Sequence, residues 1–379
     1  MTPETKPDRA ISSLLKARID AGEFPSAVYL VAEHGQIVFA DALGDAVREP
    51  ELISATADTI YDLASLTKPL ITGLLCAKRV EPSELKLEAP VSHYLPEFAR
   101  PDKRAITVRE LLTHTSGLPA WRPLYVLAKG NPAAAVAAIA TEKLEYAPGT
   151  RVVYSDLGFI ALGFLLERMS GVSFAELARH EIIEPLGLDQ TFFNPGPGSR
   201  ERIAASEKGN SYERDTAGVT GRPDSKPDSI KWREQVIWGE VHDGNAWFLG
   251  GAAGHAGLFS TAPETLRLAE QFMGERTQLL KAETCTLFRT NMTAGLEEDR
   301  SIAWQLASKK DSTAGPSLSP DSFGHTGFTG TSCWIDPHNE RVFVLLTNRT
   351  HARALPFVNI NSVRREFHSK AVEALDAGM

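Results

Sequence analysis

The sequence predicts an α/β (α+β) fold in which an antiparallel sheet, built from both chain ends and flanked by helices, carries an inserted, mostly helical subdomain. Three observations predict it. Two β-compatible runs, Ala27 to Ala32 and Ile37 to Ala42, meet through His34-Gly35 as a hairpin. A second pair, Ser332 to Ile335 and Arg341 to Thr347, flanks Pro337-His338-Asn339 near the other end. Between the pairs the signals are helical: Thr107 with Glu110, Ser173 with Glu176, and Thr261 with Glu264 each form a Ser/Thr-x-x-Glu capping box ahead of a helix-compatible run.

An amphipathic helix over about Ala10 to Ala21 precedes the first hairpin, and a final helix from about Val363 to Leu375 follows the second. Pro195 to Asn245 is rich in Gly, Pro and charge with little periodicity, which reads as a long surface loop bordering a cleft. The expected organisation is one domain over 1–379, with 10–66 and 250–376 as its α/β part and 67–249 as its helical part, the loop spanning 195–245. At 379 residues the chain is long enough for a large core.

Hydrophobic residues at 42% and charged residues at 23% place the chain among ordinary globular proteins. A formal net charge of -8 repels phosphate backbones and anionic lipid, which argues against nucleic acid as a partner. No apolar run approaches the roughly 20 residues that span a bilayer, and Met1 to Lys16 has no signal-peptide pattern. The expected compartment is the cytoplasm, or the periplasm or exterior if a signal peptide precedes Met1. Cys76, Cys285 and Cys333 lie at wide, irregular spacings that suggest neither a disulfide framework nor a zinc cluster, and they read as small buried hydrophobes.

Three Ser-x-x-Lys triplets occur, Ser13-Lys16, Ser65-Lys68 and Ser83-Lys86, against about one or two expected by chance. One helical turn carries hydroxyl and amine to the same face, so the amine can reach the hydroxyl proton. The first triplet lies on the polar face of the opening helix and the third in the charged stretch Glu81 to Glu88, where a solvated lysine is the simple outcome. Ser65 instead follows the largely apolar Ile60 to Ala64 and opens a buried helix over Leu66 to Val80. There burial and the positive end of the helix dipole both lower a lysine pKa, as a general base requires. The bland alternative is an N-terminal serine with a snorkelling lysine.

Tyr154-Ser155-Asp156 is the one place where Tyr is followed two positions later by Asp or Asn, just before a helix over Leu157 to Met169 closed by Gly171. Its phenol near Lys68 would relay a proton between Ser65 and the leaving group, while Asp156 also fits a plain helix N-cap. His-x-Gly occurs three times, and of these His325-Thr326-Gly327 alone leads into a predicted hairpin, through Phe328 to Thr331. There an edge backbone can pair with an extended substrate and aim an N–H at its carbonyl oxygen.

Ser65-Leu66-Thr67-Lys68, Tyr154-Ser155-Asp156 and His325-Thr326-Gly327, in this order, resemble the three motifs of the serine β-lactamase-like or penicillin-binding-protein superfamily. The resemblance is to its class C β-lactamase-related branch of D-alanyl-D-alanine carboxypeptidases, D-aminopeptidases and family VIII esterases. Leu111 to Leu118, Pro148-Gly149 and Gly257 to Ala262 are secondary matches. The resemblance implies a β-lactamase/transpeptidase-like fold, an acyl-enzyme on Ser65, acid and base roles shared by Lys68 and Tyr154, and an oxyanion hole from the N–H groups of Ser65 and Phe328. His325 and Thr326 would line the substrate channel. Asp156 stands where the family commonly has Asn, and its charge favours a protonated Lys68. His325 stands where many β-lactamases have Lys, which argues for weak or absent β-lactam hydrolysis.

The expected activity is therefore a serine hydrolase cleaving a small ester or a D-amino-acid-type amide, with no cofactor or metal and with a small ester, peptide or β-lactam as ligand. The alternative is a non-hydrolytic penicillin- or peptide-binding sensor of the same fold. His242, Asp243 and His255 form a weaker metal-ligand pattern, with His255 also placed to approach the cleft. Trp232, Trp238, Trp247 and Phe248 are candidates for a pocket wall or for packing, and His114-Thr115-Ser116-Gly117 reads as a turn rather than a second nucleophile.

Overall fold

The computed structural model describes residues 6–219, 232–308 and 311–378. Among these, seven strands form one antiparallel sheet in the order β3-β2-β1-β9-β8-β7-β6: β1 Ser26–Glu33, β2 Gln36–Val47, β3 Ile53–Ser54, β6 Gln305–Leu306, β7 Phe323–Thr326, β8 Ser332–Asp336 and β9 Arg341–Thr347. A small pair, β4 Tyr61–Asp62 with β5 Phe259–Ser260, stands apart. Both predicted hairpins form, and the two ends of the chain meet where β1 pairs with β9, Ala27 opposite Thr347 and Glu33 opposite Arg341.

Period-two alternation on these central strands sorts side chains onto two cores. Ala27, Tyr29, Val31, Phe343 and Leu345 meet the opening helix Arg9–Asp20 and the closing helix Asn361–Ala377 on one face. Val28, Leu30, Val342, Val344 and Leu346 meet the larger helical body on the other. That body is organised by the buried helix Asp156–Ser170, which ends at Gly171. Cys76, Cys285 and Cys333 are free and buried. Among the described residues no single helix is long and apolar enough to cross a membrane.

Three local expectations need correction. The capping boxes at Thr107 and Ser173 are complete, but Thr261 makes only half of one, because Glu264 turns away to the backbone N–H of Gln190 and the hydroxyl of Thr191. The helix expected over Leu66 to Val80 is not uniform: a tight turn at Ala64–Leu66 leads into a widened π-type turn at Lys68–Gly73 and then Leu74–Val80. Pro69 has no N–H to give an ordinary helical bond, and such wide turns gather at functional sites. The region 195–245 holds a helix, Ser211–Val219, where a loop was expected; its 220–231 part lies outside the described residues.

His368, on the closing helix, is fully buried against Trp334 and Phe343, with Nδ1 donating to the Ala314 carbonyl at 2.9 Å. Burial depresses its pKa to about 4. The unfolded chain therefore takes the proton first, so this stability is complete above pH ~6.5 and drains away as pH falls toward 4. Between pH 7 and pH 5, urea unfolding should show a loss of about 2 kcal/mol from this residue, and His368→Asn should flatten that slope.

Candidate active site

β4 and β5 bring the chain entering Ser65 beside the chain leaving His255. The Leu63 N–H donates to Leu258 O, the Leu258 N–H to the Thr67 hydroxyl, and the Thr72 hydroxyl to Gly254 O. Ala64, immediately before the serine, sits at φ 48, a left-handed conformation uncommon for a residue with a side chain. Asp62 holds it there by accepting the Ala64 N–H at 2.8 Å. Ser65 is thereby lifted into a cleft of about 650 Å³, which Trp121, Tyr154, Tyr212 and Phe328 also line.

Lys68 is wholly buried, and its ammonium has three acceptors: Ser65 Oγ at 3.0 Å, His255 O at 3.2 Å and Asp156 Oδ1 at 2.7 Å. It also lies 4.8 Å from the Tyr154 ring centroid. Burial pushes its pKa down, but the Asp156 carboxylate and the Tyr154 oxygen push harder the other way, and the net direction is up. The lowered lysine expected from burial and helix dipole is therefore overturned by the charge of Asp156. Tyr154 is raised as well, chiefly by burial, with Lys68 opposing. The resting pair is an ammonium beside a neutral phenol.

Asp156 is not the helix N-cap. Ser155 fills that role, its hydroxyl accepting the Gly158 N–H, which leaves Asp156 in the first turn with its carboxylate on Lys68. Tyr154 is set by His114, whose Nδ1 accepts the Ser155 N–H at 3.0 Å, whose carbonyl accepts the Val153 N–H, and whose ring lies 4.5 Å from the Tyr154 ring. Ser116 is buried, which fits a turn residue.

His325, at the end of β7, stands 5.8 Å from the Tyr154 ring. Its Nδ1 donates to Thr326 O, and burial, then Arg300 and Lys68, hold its pKa well below the usual imidazole value, so it is neutral. The turn after it is sewn to the Ser65 loop: the Thr329 hydroxyl donates to Asp62 O, and the Thr331 hydroxyl to Leu63 O. Arg364 donates to the carbonyls of Gly327 and Thr331 from behind, and Arg349 to that of Phe328. Neither the Ser65 nor the Phe328 backbone N–H has a partner among the described residues.

Ser65, Lys68, Tyr154, Asp156, His325, Thr326, Gly327 and Phe328 thus converge on one cleft. Ser13 and Ser83 do not, and Lys16 pairs with Asp20 on the surface. His242 leaves the suggested metal trio for Glu207 at 2.9 Å; Asp156 takes its place, with ligand atoms of Asp156, Asp243 and His255 all within 4.8 Å. Since Lys68 already sits 2.7 Å from Asp156, an organic cation serves this acidic cluster. Of the suggested pocket aromatics, Trp232 and Phe248 pack on Tyr125 and Trp238 is buried, its Nε1 donating to Ile203 O. The reading of the sequence missed His114, Arg300 and Arg364, which set or border this cleft. The first lies inside the quoted run Leu111 to Leu118; the others carry no local pattern.

A serine with a lysine and a tyrosine beside it, facing a His-Thr-Gly strand end, is the arrangement of a protein of the serine β-lactamase type. The chain belongs to the Beta-lactamase family, which it matches over residues 11–361. An Escherichia coli K12 protein whose name provisionally assigns it as a D-alanyl-D-alanine carboxypeptidase is 33% identical, covering 91% of this chain and 82% of that protein. EstCE1, described as a hydrolase with promiscuous acyltransferase activity, superposes with TM-score 0.72 at 23% identity over 95% of this chain and 97% of its own. A penicillin-binding protein homologue from Caulobacter crescentus gives 0.72 at 21% over 97% and 98%, and a class C β-lactamase 0.70 at 19% over 96% and 94%. These structural likenesses concern the fold.

Gly327 tests the suture between the two loops. A Cβ there would meet the Thr331 hydroxyl and stand 2.6 Å from the Leu63 carbonyl oxygen, a backbone atom with little room to yield. Gly327→Ala should lower unfolding free energy by about 1–3 kcal/mol in urea titration.

Proposed function

We propose that this chain is a serine hydrolase acting through an acyl-enzyme on Ser65, cleaving a small ester or a D-amino-acid-type amide in the manner of a carboxylesterase or D-alanyl-D-alanine carboxypeptidase, with weak or no β-lactamase activity. The observation that carries this reading is Lys68 Nζ at 3.0 Å from Ser65 Oγ in a cleft shared with Tyr154. The name of the E. coli relative supports the peptidase side.

In this reading Ser65 Oγ attacks the substrate carbonyl carbon and its proton passes to the Lys68–Tyr154 pair. The oxygen, now negative, is held by the N–H groups of Ser65 and Phe328. The pair returns the proton to the leaving group as the acyl bond breaks, and water then releases the acid from Ser65. The pair must shed a proton before it can take one from Ser65, so the pH limb belongs to the pair. Asp156 and Thr326 would shape the substrate channel, with His325 a neutral contact.

Intact-mass measurement after exposure to a fluorophosphonate should show one adduct on wild type, none on Ser65→Ala, and a normal adduct on Ser13→Ala and Ser83→Ala. A folded wild type without adduct would sink the acyl-enzyme reading. Asp156→Asn removes the carboxylate that raises Lys68 and leaves burial, which lowers it. The rising limb of kcat/KM against pH should then move to lower pH, with a faster rate at neutral pH. A limb that stays in place would show that Lys68 does not control it. The Lys68–Asp156 ion pair also favours the second reading, a sensor that acylates and turns over slowly; a penicillin adduct lasting hours would select it.

A further inference from the structure

Outside the three motifs, a buried acid and a buried phenol stand without partners beside the cleft. Glu213, on the helix Ser211–Val219, lines the cleft and is 9% exposed. Its Oε2 accepts a long bond from Asn210 Nδ2 at 3.3 Å, and its Oε1 is buried with no hydrogen-bond partner among the described residues. The Tyr125 hydroxyl, close enough that each group shifts the titration of the other, is buried and unpartnered as well. Arg233 beside them is already spent: its Nε goes to Asn210 Oδ1 and its terminal nitrogens to the carbonyls of Val241 and His242. The carboxyl is also held in place, since Gly244 lies so close that a Cβ there would collide with both of its oxygens. Buried polar atoms are costly when left unmade, so this pair is suited to a donor that arrives with a ligand.

We propose that Glu213, together with Tyr125, recognises an ammonium group on the acyl portion of the substrate; the proposal rests on the acyl-enzyme reading above. Tyr154 belongs to the pair that returns a proton to the departing atom, so the leaving group lies on the Tyr154 side of Ser65, toward His325. Glu213 belongs to the other wall. Its helix packs on the Phe328 turn through Tyr212, ring centroids 4.7 Å apart, and its carboxyl lies against Gly244. The chemistry of that wall selects a cation. Burial pushes the Asp243 pKa up, but His255 and the Ala246 N–H hold it well below the usual carboxylate range, so Asp243 is ionised. Burial, then that neighbouring charge, raises Glu213 to about 8, so at neutral pH the two acids carry one negative charge and one proton between them. An arriving ammonium favours the ionised form of Glu213 and sends its proton to solvent. The rings of Trp121 and Tyr212 line the same cleft, and aromatic rings attract cations.

The first test compares kcat/KM for the 4-nitrophenyl esters of 3-aminopropanoate and 6-aminohexanoate with that for the butanoate and heptanoate, in which a methyl replaces the ammonium. Glu213→Gln should lower the larger of the two ammonium-to-methyl ratios by roughly 10- to 100-fold, the size of one charge-assisted hydrogen-bond set. Ratios that are the same in both proteins, or an equal fall on all four esters, overturn the proposal. If Glu213→Gln does not fold, Glu213→Asp, which withdraws the carboxyl by one methylene, carries the same comparison. Calorimetry with benzylammonium asks the question without turnover. Measured at pH 7 in two buffers of different ionisation heat, binding to wild type should release about one proton, a number that falls toward zero as pH rises through 8. Glu213→Gln should release none. Benzylammonium that binds no more tightly than benzyl alcohol, or as well to Glu213→Gln as to wild type, overturns the proposal. Absence of fluorophosphonate adduct on wild type, by contrast, removes the acyl-enzyme reading and leaves the calorimetry to decide the role of Glu213.

Discussion

A fully buried ammonium has to be surrounded by acceptors, and the surroundings of Lys68 dictate much of the molecule. One acceptor is the serine one turn away, one is the carbonyl of His255 from a distant segment, and one is the carboxylate of Asp156 from the central helix. Satisfying all three requires the Ser65 turn, the strand pair β4–β5 and the first turn of Asp156–Ser170 to meet at one point. A second layer answers to the same charge: Asp243 pairs with His255 at 2.9 Å, and Lys68 helps keep His114 and His325 neutral.

The opposite wall of the cleft is built from backbone rather than charge. Asp62 bonds the N–H groups of Ala64 and His242, the hydroxyls of Thr329 and Thr331 reach across to the carbonyls of residues 62 and 63, and Arg364 closes the turn from behind. Among the described residues the N–H groups of Ser65 and Phe328 have no partner. These cross-links hold donor positions fixed without reorganisation, the condition under which backbone dipoles act most strongly on a developing charge.

The parts legible in the sequence are those governed by short-range rules. Alternation and a His-Gly turn fixed the first hairpin, the apolar run Arg341 to Thr347 marked a strand buried on both faces, and Thr107 with Glu110 announced its own helix start. Ser65, Lys68, Tyr154 and His325 were found because each motif is contiguous. What escaped was decided by distant partners. Whether Ser155 or Asp156 caps the helix depends on where Lys68 lies, and Glu264 leaves its box because Gln190 and Thr191 compete for it. Arg300 comes within 5.6 Å of the Tyr154 ring from a charged stretch far off in the chain, and nothing local in the sequence hints at that.

The strand order has a consequence for how the chain is made. β1 emerges first from the ribosome, yet its partner on the open side is β9, near the carboxyl end. Until Arg341–Thr347 is synthesised, the first hairpin presents a row of unpaired, strongly apolar backbone, the kind of edge that recruits other chains. A product broken off before Arg341 lacks the middle strand of its sheet and keeps that edge exposed. The last forty residues, which also brace the Phe328 turn through Arg349 and Arg364, decide whether that edge is covered or left open to other chains.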